Sequence, residues 1–212
     1  MDAREWDRRY ADSDLVWSAT PNQFVAAELA ALVPGRALDL ACGEGRNALW
    51  LADGGWDVTA VDFSLAGLDK GRSLQVAHER GRDLHIDWVH ADVLTYDPGP
   101  ASYDLALVTY LQLPATERRA AVRRAFDALV PGGTLFIVGH DSTNLTEGTG
   151  GPQDPAALFT AEDVLADLSG DDEPFEVHRA ERVPRTVHPD DEHRGDPTRT
   201  AYDALVKLTR TR

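Results

Sequence analysis

The chain has 212 residues, of which 42% are hydrophobic and 27% charged, with a formal charge of −15; that suits one domain able to bury a real core. So acidic a surface repels phosphate backbones and anionic bilayers, which argues against nucleic acid and membranes as partners. The single cysteine, Cys42, rules out an intramolecular disulfide and any Cys-based metal site. The chain has no apolar run of the ~18 residues a membrane span needs, and its opening, MDAREWDRRYADSD, is polar; both lead to the expectation of a cytoplasmic protein.

Residues 1–20 are polar with spaced aromatics, Trp6, Tyr10 and Trp17. TPNQFVAAELAAL predicts a helix with Thr20 as N-cap, Pro21 in its first position and Phe24, Val25, Leu29 and Leu32 at helical spacing; Pro34-Gly35 ends it. RALDLAC reads as a buried strand, GRNALWLADGG as a helix stopped by glycines, and DVTAVD as a second strand. SLAGLDKGRSLQVAHERG is a helix from an N-cap at Ser64 to a terminator at Gly81. LHIDWVHAD and YDLALVTY are the third and fourth strands, and TLFIVGHD the fifth. Before that fifth strand, PATERRAAVRRAFDALVPGG is a helix with Pro114 near its start, its arginines spaced as a solvated face. This alternation predicts a parallel sheet with helices on both faces.

Beyond it the character changes. Residues 142–158, STNLTEGTGGPQDPAAL, read as a long loop of the kind that covers a site. TAEDVLADL is a short helix with a capping box from Thr160 to Asp163. FEVHRAERVPRTV and TRTAYDALVKLTR lie too close together for a helical crossover, so they predict an antiparallel hairpin. The intervening HPDDEH, with His188, Asp190, Asp191 and His193, reads as a solvated loop, and no metal site is expected.

The chemistry concentrates in LDLACGEGRNALWLADGGWDVTAVD. Gly43-x-Gly45 between strand and helix gives a tight turn that a ligand can approach, and Asp62 stands 17 residues beyond Gly45, where an acid meets ribose hydroxyls. Together they indicate a nucleoside-containing ligand. Asp39, just before the glycines, discriminates among such ligands. A carboxylate beside a pyrophosphate is unfavourable, whereas S-adenosylmethionine (SAM) carries adenosine with a sulfonium and an ammonium and no phosphate. The competing reading has Asp39 capping a loop or pairing with a local arginine.

LDLACGEGRNALWLA resembles the first motif of the class I SAM-dependent methyltransferases, VTAVDFS their second, HADV the segment after their third strand, YDLALVTYLQL their fourth-strand motif and LVPGGTLFIVGHD the turn into strand five. The resemblance covers about residues 20–140 in order. GEGRN with the leading WDRRYADSDLVW is most similar to the small-molecule branch of tellurite-resistance and thiopurine-type enzymes. It implies a doubly wound α/β fold, a seven-stranded sheet of order 3-2-1-4-5-7-6 with an antiparallel last strand. It implies one domain over 1–212: an N-terminal cap over 1–34, a SAM-binding core over 35–140, and a lid with a C-terminal hairpin over 141–212.

The resemblance also implies roles. Gly43 and Gly45 pass beneath the methionine part of SAM, and Asp39 orders its ammonium end. Asp62 takes the ribose hydroxyls and Phe63 lies along the adenine. Asp92 accepts from the adenine amino group, the Val93 backbone supports the ring edge, and Thr109 offers a carbonyl near the ammonium. Tyr10 and Trp17 are candidates to fold over the cofactor, against the reading of a helix that packs its aromatic stripe onto the sheet. Arg46 has three possible partners, the SAM carboxylate, Glu44 and Asp39.

His140, after strand five, is the candidate general base, against the reading of a strand-end histidine bonded to a loop; Tyr110 is a candidate pocket wall. The expected function is transfer of a methyl group to a small molecule, with oxygen, nitrogen, sulfur and heavier chalcogen acceptors all open. The alternatives are an NAD-dependent oxidoreductase or epimerase, and a non-catalytic SAM-binding protein.

Overall fold

A computed structural model describes residues 3–12, 15–16, 20–81, 83–169, 174–187 and 199–212. Seven strands form one sheet: β1 (Arg36–Leu40), β2 (Asp57–Asp62), β3 (Ile86–His90), β4 (Tyr103–Thr109), β5 (Leu129–His140), β6 (Phe175–Val187) and β7 (Arg199–Arg210). Their order is β3-β2-β1-β4-β5-β7-β6. The first five run parallel, and β7 is antiparallel to both β5 and β6. The expected topology is the observed one, including the hairpin.

Alternation along the buried strands sends side chains to opposite faces. Leu38, Leu40, Val61 and Ile137 pack with Val122 and Phe126 of α5 (Ala115–Asp127) and Val164 of α7 (Ala161–Leu168). Ala37, Val58, Leu105 and Phe136 pack on the other face with Val25 and Leu29 of α2 (Gln23–Leu29) and Leu51 of α3 (Arg46–Asp53). Lys207 donates to the Glu28 carbonyl at 2.7 Å, which pins α2 to β7. Among the described residues no helix is long and apolar enough to cross a membrane.

Three local expectations change, and one reading left open, that of the N-terminal aromatics, is decided. Helix α2 starts after Asn22 rather than Thr20, because the Asn22 side chain accepts from the N–H groups of Phe24 and Val25. The polar opening forms a helix, α1 (Ala3–Ala11), whose Trp6 and Tyr10 stack one turn apart with Tyr10 buried, the helix-stripe reading of these aromatics. Its Asp7 accepts from Ser64 Oγ at 2.5 Å and Ala66 N at 3.3 Å, at the start of α4 (Leu65–Ala77). Helix α4 keeps its Ser64 N-cap but stops at Ala77, ahead of Gly81. Arg118, read as part of a solvated face, is buried on α5 and paired to the buried Asp167 of α7 at 2.7 Å.

The loop after β5 is structured. It contains α6 (Asn144–Glu147) and a 3-10 turn at Pro155–Ala157. A parallel bridge between Asp141 and Phe159 ties its neck. Asn144 accepts from Tyr202 N and donates to the carbonyls of Thr149 and Gly150. The capping box of α7, Thr160 with Asp163, forms as expected.

Candidate active site

The parallel strands end at one edge of the sheet, and the candidate residues gather there. Between β1 and α3 the chain passes three times through left-handed conformations, at Ala41 (φ 61°), Gly43 (φ 58°) and Gly45 (φ 77°). Gly45 lies against the Trp88 ring of β3, which a Cβ at this position would overlap. The turn therefore needs glycine for both its backbone angle and its packing.

Asp62, at the end of β2, braces this turn. Its Oδ2 accepts from Gly43 N and its Oδ1 from Ser64 N, each at 2.8 Å. Burial raises its pKa, and these two N–H groups only partly offset that. Asp39 is fully enclosed, with neither carboxylate oxygen hydrogen-bonded. The Ala48 N–H approaches it without closing a bond, while burial first and Asp62 second push its pKa up to about 7. Arg46 opposes that shift, and burial in turn lowers the Arg46 pKa. Two buried acids, one of them without a hydrogen bond, make surroundings suited to a ligand cation and hostile to a phosphate. On this observation the residues fit SAM.

Glu44 is buried and occupied elsewhere: both its oxygens accept from Val16 N at 3.1 Å, and Lys70 pairs with it at 3.3 Å. It fastens the N-terminal segment to the glycine turn. Tyr10 is buried in the same place, stacked with Trp6 at 5.4 Å, and its ring edge and the Gly43 carbonyl both crowd Gly67. Trp17 lies outside the described residues, as does HPDDEH. Among the described residues no acid, histidine or cysteine cluster could hold a metal.

The adenine-side candidates lie beyond β2 and β3. The Phe63 carbonyl meets a ring nitrogen of His90 at 3.0 Å. Asp92 is exposed and accepts from Leu94 N at 2.9 Å, while Val93 is buried. Thr109 closes β4, and its hydroxyl accepts from Asn47 Nδ2 at 3.2 Å.

Past Thr109, Tyr110 takes a left-handed conformation (φ 53°) that a bulky residue adopts only when its surroundings impose it. Its N–H donates to Val138 O at 2.7 Å, and its hydroxyl crosses to β7 and donates to Asp203 Oδ2 at 2.9 Å. Asn22 Nδ2 donates to the same hydroxyl at 3.4 Å. Arg185 of β6 donates through Nε to that Oδ2 at 2.7 Å. The other oxygen, Asp203 Oδ1, lies 3.4 Å from His140 Nδ1, a charge-pair distance with an angle short of a hydrogen bond. Burial raises the Asp203 pKa, but His140 and Arg185 outweigh it and hold the carboxyl below its ordinary value. The His140 and Tyr110 rings are 5.0 Å apart. Gly151 (φ 75°) covers the imidazole so closely that a Cβ there would be 2.9 Å from Cγ. The loop over 142–158 thus caps His140.

The structure brings His140, Tyr110, Asp39, Gly43, Gly45, Arg46, Asp62 and Thr109 to one edge of the sheet. Asp203, Arg185, Asn22 and Asn47 are part of this constellation and were not singled out by sequence. The only available signal was a lone acid in the apolar run of TAYDALV; its partner depends on the register His140↔Asp203 between β5 and β7.

A methyltransferase domain family matches residues 37–133. An uncharacterised methyltransferase of Mycobacterium tuberculosis is 32% identical over 138 residues, 64% of this chain and 66% of its own length. The chain therefore spans just under two thirds of that relative. Thiocyanate methyltransferase 1 of Brassica oleracea is 26% identical over 165 residues, covering 76% of this chain and 70% of its own. Among solved structures, the N-methyltransferase NodS of Bradyrhizobium japonicum in complex with S-adenosylhomocysteine shares the fold, with a TM-score of 0.69 at 18% identity, over 99% of this chain and 98% of its own.

Proposed function

We infer that the chain is a class I SAM-dependent methyltransferase that transfers a methyl group from SAM to a small-molecule acceptor bound at the carboxyl edge of its sheet. The observation that carries this reading is Asp39, a buried carboxylate without a hydrogen bond beneath the glycine turn. An oxidoreductase would set a pyrophosphate against it. A passive SAM-binding protein would have no use for the capped His140 constellation.

When bound, SAM supplies a methyl group already activated by its sulfonium. The chain's own residues bind, align and exclude water. In the reading proposed here, Asp39 faces the ammonium end, Asp62 takes the ribose hydroxyls, and Gly43 and Gly45 leave room for the methionine part. Phe63, Asp92 and Val93 border the adenine, and Thr109 offers its carbonyl near the ammonium. Tyr10 and the segment fastened by Glu44 close the site from above, and Arg46 sets a positive charge beside Asp39. His140 stands on the acceptor side as the candidate base.

Thermal unfolding with SAM, S-adenosylhomocysteine, NAD and NADP tests the reading. A ligand of the folded state alone adds about 2.7 kcal/mol at 100 times its dissociation constant. The expected result is a midpoint raised by SAM and S-adenosylhomocysteine only. A rise with NAD or NADP alone would overturn it.

A further inference from the structure

We propose that Asp203, clamped by Tyr110 and Arg185, is the positioning residue that makes His140 a general base, and that the acceptor is accordingly a hydroxyl or thiol that must lose a proton. The proposal rests on the methyl-transfer reading above.

The clamp is asymmetric. Asp203 Oδ2 receives two donors, Tyr110 OH at 2.9 Å and Arg185 Nε at 2.7 Å. Oδ1 receives none and faces His140 Nδ1 at 3.4 Å. The charge of a buried carboxylate oxygen 3.4 Å from an imidazole nitrogen favours the tautomer that carries its proton on that nitrogen, Nδ1, without a closed hydrogen bond in the free protein. The lone pair is then on Nε2, which makes no hydrogen bond to a described residue. The ring cannot swing away, because Gly151 covers one side and Tyr110 stands at the other. Strand register sets the pair itself, since His140 and Asp203 are direct partners across β5 and β7.

This constellation favours an acceptor that loses its proton in the act of attack. A neutral amine attacks a sulfonium methyl with its own lone pair and sheds its proton afterwards. A hydroxyl or thiol gains from losing its proton as it attacks. The acceptor proton passes to His140 Nε2, the acceptor electron pair forms the bond to the methyl carbon, and the carbon–sulfur pair returns to sulfur as a neutral thioether. The imidazolium so formed faces Asp203 Oδ1 and later yields its proton to water.

Asp203→Asn is a directed test. The amide oxygen must stay with the two donors at Tyr110 and Arg185, which turns the amide N–H₂ toward His140 Nδ1. Nδ1 must then accept, and the proton moves to Nε2. Nitrogen-15 shifts of His140, assigned by comparison with His140→Gln, read this directly without any acceptor. Wild type is expected to show the Nδ1–H tautomer and Asp203→Asn the Nε2–H tautomer. An Nε2–H tautomer in wild type, or no change in the variant, would overturn the proposal. Both variants should bind SAM within about twofold of wild type, and loss of SAM binding by wild type itself would instead refute the methyl-transfer reading. With methyl-labelled SAM and a panel of phenols, aliphatic thiols and primary amines, labelling should fall on phenols or thiols, with kcat about 100-fold lower in Asp203→Asn and KM unchanged. Labelling confined to amines, labelling insensitive to Asp203→Asn, or no labelling at all would overturn the assigned acceptor class. Should Asp203→Asn fold poorly, His140→Gln must show the same loss of kcat at unchanged KM.

Discussion

Replacing Asp39 with asparagine should make the free protein more stable and the cofactor complex weaker. The Asp39 carboxyl is pushed up to about 7 by burial and by Asp62, about three units above an unfolded aspartate. Between about pH 4 and pH 7 the folded chain therefore holds a proton that the unfolded chain releases, and stability falls as pH rises through that window. At about 1.36 kcal/mol per unit, ionised Asp39 costs the free fold about 4 kcal/mol at pH 8. Asparagine removes that cost but leaves a buried amide short of partners, worth about 1–3 kcal/mol in the other direction. A net gain of about 1–3 kcal/mol is expected at pH 8 and none at pH 4, measured by urea unfolding. Wild-type affinity for SAM, by calorimetry, should fall about tenfold per pH unit below about 7, because the ligand cation needs the ionised form. The variant should bind at least about tenfold more weakly at pH 8 and lose this pH dependence. An Asp39→Asn protein destabilised at pH 8, or one that binds SAM like wild type, would refute the assignment.

Asp62→Asn keeps an acceptor for only one of the Gly43 and Ser64 N–H groups and sets an amide N–H₂ against the other, and SAM binding should weaken more than about tenfold, or ~1.4 kcal/mol, by calorimetry; unchanged affinity removes the ribose assignment. Asp167→Ala strands the buried Arg118 guanidinium, held now at 2.7 Å, and should cost about 3–5 kcal/mol in urea unfolding; a loss under about 1 kcal/mol would mean that Arg118 finds water. Gly45→Ala meets both a left-handed backbone and the Trp88 ring, whereas Gly132→Ala meets only the backbone angle, with open space around it. The first should cost about 2–4 kcal/mol and the second about 1–2; equal losses would show that Trp88 yields freely.

The sheet was legible in the sequence because its signals are local. Buried strands, glycine stops and the Ser64 and Thr160 caps each sit within one segment, and the hairpin follows from a connection too short for a crossover. Helix α1 shows in the one-turn spacing of Trp6 and Tyr10, but its anchorage does not: Asp7 accepts from Ser64 and Ala66 at the start of α4, a contact that neither segment reveals alone. Arg118 was misread for the same reason, since its partner Asp167 lies on another helix. The acids of the glycine turn were visible because the motif that carries them is local, with Asp39, Gly43 and Gly45 in one short segment and Asp62 on the next strand. Asp203, in contrast, acquires its meaning only when β7 is inserted beside β5 in one register, a long-range event with no local marker.

That insertion also sets the order of events in folding. β7 comes after β6 in the chain yet lies between β5 and β6. From residue 140 until residues 199–210 emerge, β5 has one open edge, exposed to pairing with other chains. Closing it bridges a long stretch of sequence, so the step is entropically slow and belongs late on the folding pathway. The strand that covers β5 is the one that brings Asp203 to His140. Under the proposed assignment His140 faces its carboxylate only once β7 has inserted beside β5, so turnover would wait for that strand.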